Sequence, residues 1–234
     1  MKPKTPSLNR EKDSYEFPNS SGTFSHPGKE LNVLIETLIP YGEPVQLAKS
    51  QRIYLKQKEE NACYLLIDGY YTLRYQNDGT IISNIYPPII AGLAELFAKH
   101  NPGYFRAEVA TQAIRVNERA FFKCLADHPE QWLTIAKIQS YTILRLLLRD
   151  QQINTKNAYL TVCHLLRDLS AQPAIIREHT IAAHYILDRT HLARSTIMNI
   201  LAKLQRGNHI VIKKGGYMVE INHLPENLFK DKTT

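Results

Sequence analysis

A chain of 234 residues, 44% hydrophobic and 22% charged, can hold one large domain or two modest ones and bury a core. Its formal net charge of +7 suits a polyanionic partner. No stretch approaches the ~18 consecutive apolar residues of a membrane span, and MKPKTPSLNREKDSYEF at the N-terminus lacks the apolar block of a secretion signal, so a cytoplasmic protein away from membranes is expected.

Residues 1–28 carry Pro3, Pro6, Pro18 and Pro27 among Ser, Asn and scattered charges, and predict a flexible tail. Lys29 to Ile39 spaces Leu31, Leu34, Ile35, Leu38 and Ile39 for a short amphipathic helix that stops at Pro40. From Gly42 to Phe122 short β-branched and aromatic runs alternate with turn residues. Strands are expected at 64–67, 70–75, 80–85 and 107–116, with turns at Asp68-Gly69 and Asn77-Asp78-Gly79, the pattern of an antiparallel sandwich or barrel. Gly92 to His100 reads as a brief helix between strands.

Pro129 to Ile153 is the one long helical stretch. Trp132, Leu133, Ile135, Ile138, Ile143, Leu144, Leu146, Leu147 and Leu148 exceed a single stripe, so the helix needs cover on more than one side. Packing against the strands and against a second copy of itself supplies that cover, and a homodimer is expected; cover by the chain's own C-terminal segment is the alternative. Cys63, Cys124 and Cys163 are odd in number and far apart, which excludes a disulfide framework or a Cys-x-x-Cys metal knuckle and leaves buried free thiols. Cys124 or Cys163 would act as a redox switch only if exposed with a lowered pKa.

A helix over 157–169 leads to a break at Ser170-Ala171-Gln172-Pro173. Thr180 to Thr190 and Arg194 to Arg206 then read as two helices joined by the turn His191-Leu192-Ala193, followed by strands 210–212 and 217–221 around Lys213-Lys214-Gly215-Gly216. Helix, short turn, helix and β-hairpin form a winged helix-turn-helix. With Ile197, Ile200, Leu201 and Leu204 turned inward, Ser195, Thr196, Asn199, Lys203 and Arg206 stay outside and Arg194 sits at the leading end. Hydroxyls and Lys bond phosphate, Asn pairs with adenine and Arg pairs with guanine in the major groove. No Asp or Glu lies between residues 190 and 219, and Lys213 and Lys214 in the wing turn are placed to hold phosphate.

A strand-rich domain, a long helix and a terminal winged helix, in that order, resemble the bacterial CRP/FNR superfamily of transcription regulators. Cys63 to Leu73 looks like that family's strand, glycine turn, strand element, and Thr190 to Ile197 looks like the start of its recognition helix. The last segment is also similar to an enterobacterial branch named for inhibition of hydrogen peroxide resistance. The resemblance implies an α+β chain: a tail over 1–28, a cyclic-nucleotide-binding-like antiparallel β-roll over 29–128, a central dimerisation helix over 129–153 and a winged helix-turn-helix DNA-binding domain over 154–234. It assigns base contacts to Arg194, Ser195 and Asn199.

The departures bear on ligands. Members that bind cyclic AMP place a carboxylate on the short helix, where Leu93 stands here, and a phosphate-binding Arg later in the roll. Arg106 arrives about three places late when Thr111 is the anchor, although a gap in the loop would restore it. No cyclic AMP binding is expected. Neither closely spaced N-terminal cysteines for an iron-sulfur cluster nor a diagnostic set among the nine His for haem is present, so no cofactor or metal is expected. The chain lacks a Gly-x-Ser-x-Gly elbow, a phosphate loop and a His-Glu-x-x-His helix, which argues against an enzyme. The expected function is sequence-specific binding of double-stranded DNA as a homodimeric regulator with a degenerate sensor domain and an unidentified effector; the alternative is a protein-interaction adaptor on the same scaffold.

Overall fold

The computed structural model describes residues 26–57, 60–98, 103–153, 157–213, 215–217 and 219–225. The tail expected over 1–28 lies, up to residue 25, outside the described residues. The chain separates into two compact units, residues 1–142 and 143–234.

In the first unit, α1 (Gly28–Leu38) forms as its apolar spacing predicts, with Leu31, Leu34, Ile35 and Leu38 all buried, and a short 3-10 turn carries it past Pro40. Two antiparallel sheets follow. One runs β1 (Glu43–Leu47), β9 (Thr111–Asn117), β4 (Glu60–Leu66), β3 (Lys56–Gln57), with β7 (Ile89–Ala91) also paired to β4. The other runs β2 (Arg52–Ile53), β8 (Gly103–Ala107), β5 (Tyr71–Tyr75), β6 (Ile81–Ile85). Their shared core holds Leu47, Tyr64, Leu66 and Ala113 from the first sheet and Ile53, Tyr71, Phe105 and Ala107 from the second.

Strand β4 is buried on both faces, which explains its unbroken apolar run. Tyr64 and Leu66 fill the space between the sheets, whereas Cys63 and Leu65 point the other way, into a second core with α1 and with Phe121, Cys124 and Leu125 of α2 (Glu118–Asp127). The helix α2 has no counterpart among the elements expected from sequence. Its signal is Asn117, whose side chain accepts from the Ala120 amide at 2.8 Å and caps the first turn.

Two expectations are corrected. The single strand expected over 107–116 is two, β8 and β9, and the chain passes from one sheet to the other through Glu108 to Ala110. The helix expected over 92–100 is a series of turns as far as Phe97, and residues 99–102 lie outside the described set. Gly92 has φ +88, and a Cβ there would stand 2.7 Å from Leu55 Cδ2 and 3.0 Å from the Ala62 carbonyl oxygen, so the chain is bent by a residue that only glycine supplies.

Helix α3 (Gln131–Ile153) is the long helix. Ile135 is buried in the core beneath α1 and α2, while Leu133, Ile143 and Leu147 are 65%, 57% and 57% exposed, and Leu144, Leu146 and Leu148 also remain in solvent. No helix among the described residues is long and apolar enough to cross a membrane.

The second unit holds α4 (Ala158–Ser170), α5 (Ala174–His179), α6 (Ala182–Leu187), α7 (Arg194–Arg206) and the hairpin β10 (Ile210–Ile212) and β11 (Val219–Ile221). Helix α5 occupies residues for which the sequence predicts no element, and α6 is shorter than the expected 180–190. Leu166, Ile186, Ile197 and Leu204, all fully buried, centre one core shared by α4, α6, α7 and the hairpin. The architecture is thus α+β: an antiparallel β-roll with helices, a long helix, and a winged helix-turn-helix.

Candidate nucleic-acid interface

The position of α7 follows from how α6 is held. The Tyr185 hydroxyl donates to Asp168 Oδ2 at 2.5 Å, tying α6 to the end of α4, where Gln172 Nε2 donates to the Asp168 carbonyl at 2.9 Å. Arg189 is buried: it donates to the Tyr185 carbonyl at 3.1 Å, and its guanidinium carbon stands 3.5 Å over the Tyr185 ring. The Thr190 hydroxyl donates to the Ile186 carbonyl at 2.9 Å, which closes α6 and releases the chain into the turn before α7.

Helix α7 buries Ile197, Ile200, Leu201 and Leu204, as the period of its apolar residues predicts. Ala193 occupies the N-cap without a capping side chain, and no acidic residue stands in the first turn. The leading amides and the positive end of the helix dipole therefore face an open edge, an arrangement that favours anions. Of the predicted contact residues, Arg194, Ser195, Asn199 and Arg206 are exposed, and Thr196 and Lys203 are half-buried at the flanks of that edge. Arg206 lies about 18 Å along the axis from Arg194 and turns its Nε back onto the Ala202 carbonyl at 3.3 Å. The two arginines therefore stand at opposite ends of the helix.

Sequence reasoning missed three members of the edge, Met198, Ala202 and Gln205. Met198 is 47% exposed and Ala202 is also in solvent, so the outward face is not wholly polar. Apolar character hid Met198 and Ala202, although each falls outside the i, i+3, i+4 set that fills the core.

The hairpin pairs Ile210 with Ile221, Val211 with Glu220 and Ile212 with Val219. The Gly216 carbonyl accepts from the Ala182 amide at 3.0 Å, which anchors the wing turn to the start of α6. Gly216 has φ +88 and a Cβ there would stand 3.1 Å from Ile181 Cγ2. Lys213 is exposed and its Nζ lies 3.4 Å from Glu220 Oε1 on the opposite strand. Both partners are more than half exposed, so the pair is readily exchanged for a stronger anion. Lys214 lies outside the described residues.

Two residues of the roll decide where its charges go. Leu93, at the place of the expected carboxylate, is buried. Arg106 is in register with Thr72 across β8 and β5, on the face of that sheet opposite the core residues Tyr71 and Phe105. There it grips Glu108 with two hydrogen bonds, Nε to Oε1 at 2.9 Å and Nη2 to Oε2 at 2.7 Å. The Thr72 hydroxyl donates to Glu108 Oε1 at 2.5 Å and Arg74 Nη2 reaches the same oxygen at 3.5 Å. A loop gap therefore does not return Arg106 to the interior of the roll.

Burial alone would raise the Glu108 carboxyl, but hydrogen bonds from Arg106 and Thr72 and the charges of Arg106 and Arg74 outweigh it and hold the group below the usual carboxylate range. A native pKa below the unfolded one gives stability that is present above the unfolded value and lost as pH falls through the native one. Glu108→Gln is expected to flatten the acid limb of a stability-against-pH curve below about pH 5, measured by circular dichroism; parallel curves for the two proteins would show that the cluster adds nothing.

The three thiols are all buried. Burial pushes Cys63 up to about 12; Cys124 is raised by burial and by the charges of Asp127 and Glu130, and Cys163 by burial. Neither Cys124 nor Cys163 meets the condition for a thiolate switch. Alkylation at neutral pH is expected to label none of them in the folded protein and all three in denaturant, and labelling of native Cys124 or Cys163 within minutes would reopen a redox role. Among the described residues no group of three or more His, Cys, Asp or Glu is placed to hold a metal ion.

Residues 158–226 match the family described as winged helix-turn-helix DNA binding. Over 205 residues the chain is 25% identical to the inhibitor of hydrogen peroxide resistance of Salmonella typhimurium, a match that covers 87% of this chain and 98% of that protein. Among solved structures, the c-di-GMP responsive global regulator CLP of Xanthomonas campestris is 12% identical, with a TM-score of 0.65 over 80% of this chain and 98% of that one. A CRP/FNR family transcriptional regulator of Thermus thermophilus is 16% identical, with a TM-score of 0.58 over 78% and 94%. The likeness to CRP/FNR regulators expected from the sequence is borne out at the level of the fold.

Proposed function

We propose that this chain, built on the CRP/FNR-type fold, is a cytoplasmic transcription regulator that binds specific double-stranded DNA as a homodimer. The observation that carries this reading is the outward edge of α7: exposed Arg194, Ser195 and Asn199 beside an uncapped helix start, in a stretch from residue 190 to 219 without one Asp or Glu. Arg194, Ser195 and Asn199 read base edges, while Thr196, Lys203, Arg206, Lys213 and Lys214 hold phosphates. The roll over 29–128 and the winged helix over 154–234 are joined through a dimerising helix over 129–153, whose exposed Leu133, Ile143 and Leu147 recur at the spacing of a helix-pairing seam. Two recognition helices set by that seam enter successive major grooves roughly 34–36 Å apart on a pseudo-palindrome. With Leu93 buried and Arg106 held on the outer face by Glu108, cyclic AMP is not the effector.

Selection of bound fragments from random duplex DNA, read by sequencing, tests the proposal. An enriched motif with two related half-sites, whose affinity falls steeply with salt as counterions are released, is the expected result. No enrichment over bulk DNA would overturn it and favour the adaptor.

A further inference from the structure

The outward edge of α7 is built from two rows. Ser195, Asn199, Ala202 and Arg206 form one; Arg194 and Met198, four residues apart, and Gln205, seven further on, form the other, and all seven are exposed. Every large apolar residue of α7 except Met198 is buried in the core of the second unit, yet Met198 is 47% exposed between Arg194 and Asn199. Side chains on a helix lean toward its N-terminus, so Met198 covers the turn that presents Arg194.

We infer that Met198 is a specificity-determining residue that reads thymine C5-methyl groups next to the guanine taken by Arg194. This rests on the DNA-binding reading above. An edge that enters the major groove leaves water, and the apolar feature the groove offers there is the thymine methyl. An unbranched, polarizable thioether follows such a surface without a fixed hydrogen-bond geometry. Asn199, one residue on, has the acceptor and donor pair for adenine, so the middle turn of α7 is matched to A·T pairs and its leading turn to a G·C pair. Ala202 adds a methyl on the next turn and blocks nothing.

The selected site is resynthesised with deoxyuridine in place of each thymine in turn, which deletes a methyl and leaves every hydrogen bond in place. Wild-type protein is expected to lose about fourfold in affinity at one or two positions per half-site, the worth of one buried methyl. Met198→Ala is expected to bind the same site more weakly and to respond equally to thymine and uracil, Met198→Leu to regain the discrimination, and Arg194→Ala to keep it. Because Met198 is exposed, unchanged melting temperatures should accompany these effects. Wild type that binds a specific motif yet treats uracil and thymine alike overturns the inference and leaves the DNA-binding reading standing, as does a Met198→Ala protein that discriminates as well as wild type. Failure of wild type to select any motif overturns both.

Discussion

A chain carrying Ile143→Asp and Leu147→Asp is expected to be monomeric at micromolar concentration and to bind the selected site at least about a hundredfold more weakly than wild type. Ile143 and Leu147 lie four residues apart on α3, each 57% exposed within the single chain, and Leu133 extends their stripe toward the helix start. Neither side chain supports the core of either unit, so folding should survive the change. Burying a carboxylate opposite its own symmetry mate desolvates two like charges without a partner cation, which a helix-helix seam does not tolerate. Once the subunits part, the second recognition helix no longer arrives at the local concentration set by the first. Affinity then falls to that of one half-site. Sedimentation and a binding titration on the same sample check both halves of the expectation. A monomer that keeps wild-type affinity removes the dimer from the mechanism, and a double variant that remains dimeric removes α3 from the seam.

The parts of the chain that are legible in its sequence are those where one periodicity dominates. In α7 the residues Ile197, Ile200, Leu201 and Leu204 mark the buried side without competition, and the edge opposite them follows. The hairpin of β5 and β6 is equally readable, because Asn77 and Asp78 supply side-chain acceptors to the amides of Asp78 and Thr80. Ala107 to Val116 misleads because the β-branched residues Val109 and Thr111 run across the point where the chain changes sheets, and nothing local in Glu108 to Ala110 announces the switch. The partner of Arg106 is likewise hidden. Its carboxylate is only two residues away, but the cluster forms because β5 lays Thr72 and Arg74 beside it, a matter of register between strands. Lys213 reads in the sequence as a free phosphate ligand, whereas the hairpin register brings Glu220 within 3.4 Å. Charge counted along the chain overstates the positive potential wherever strands fold acids back onto bases.

Arg194→Ala is expected to lower affinity for the selected site by about 5- to 150-fold, the equivalent of roughly 1–3 kcal/mol for a lost bidentate base contact. The side chain is exposed at the first position of α7 and supports no core, so the loss is assigned to recognition rather than to folding. It should fall on specific sites alone: affinity for bulk DNA stays within about twofold, and a repeated selection returns a motif relaxed at one position of each half-site. Lys213→Ala sets the contrast, because a phosphate ligand weakens all sequences together and reduces the salt slope by about 1. Its ion pair with Glu220 tempers that effect, since part of the wild-type attraction is already met within the wing. Glu220→Gln is therefore expected to act in the opposite direction, strengthening binding to every sequence by releasing Lys213. If Arg194→Ala leaves the selected motif intact, the leading end of α7 does not face the bases. If Arg194→Ala and Lys213→Ala instead weaken specific and bulk DNA in the same proportion, Arg194 is one more phosphate ligand, and the reading of sequence must lie further along the helix, at Met198 and Asn199.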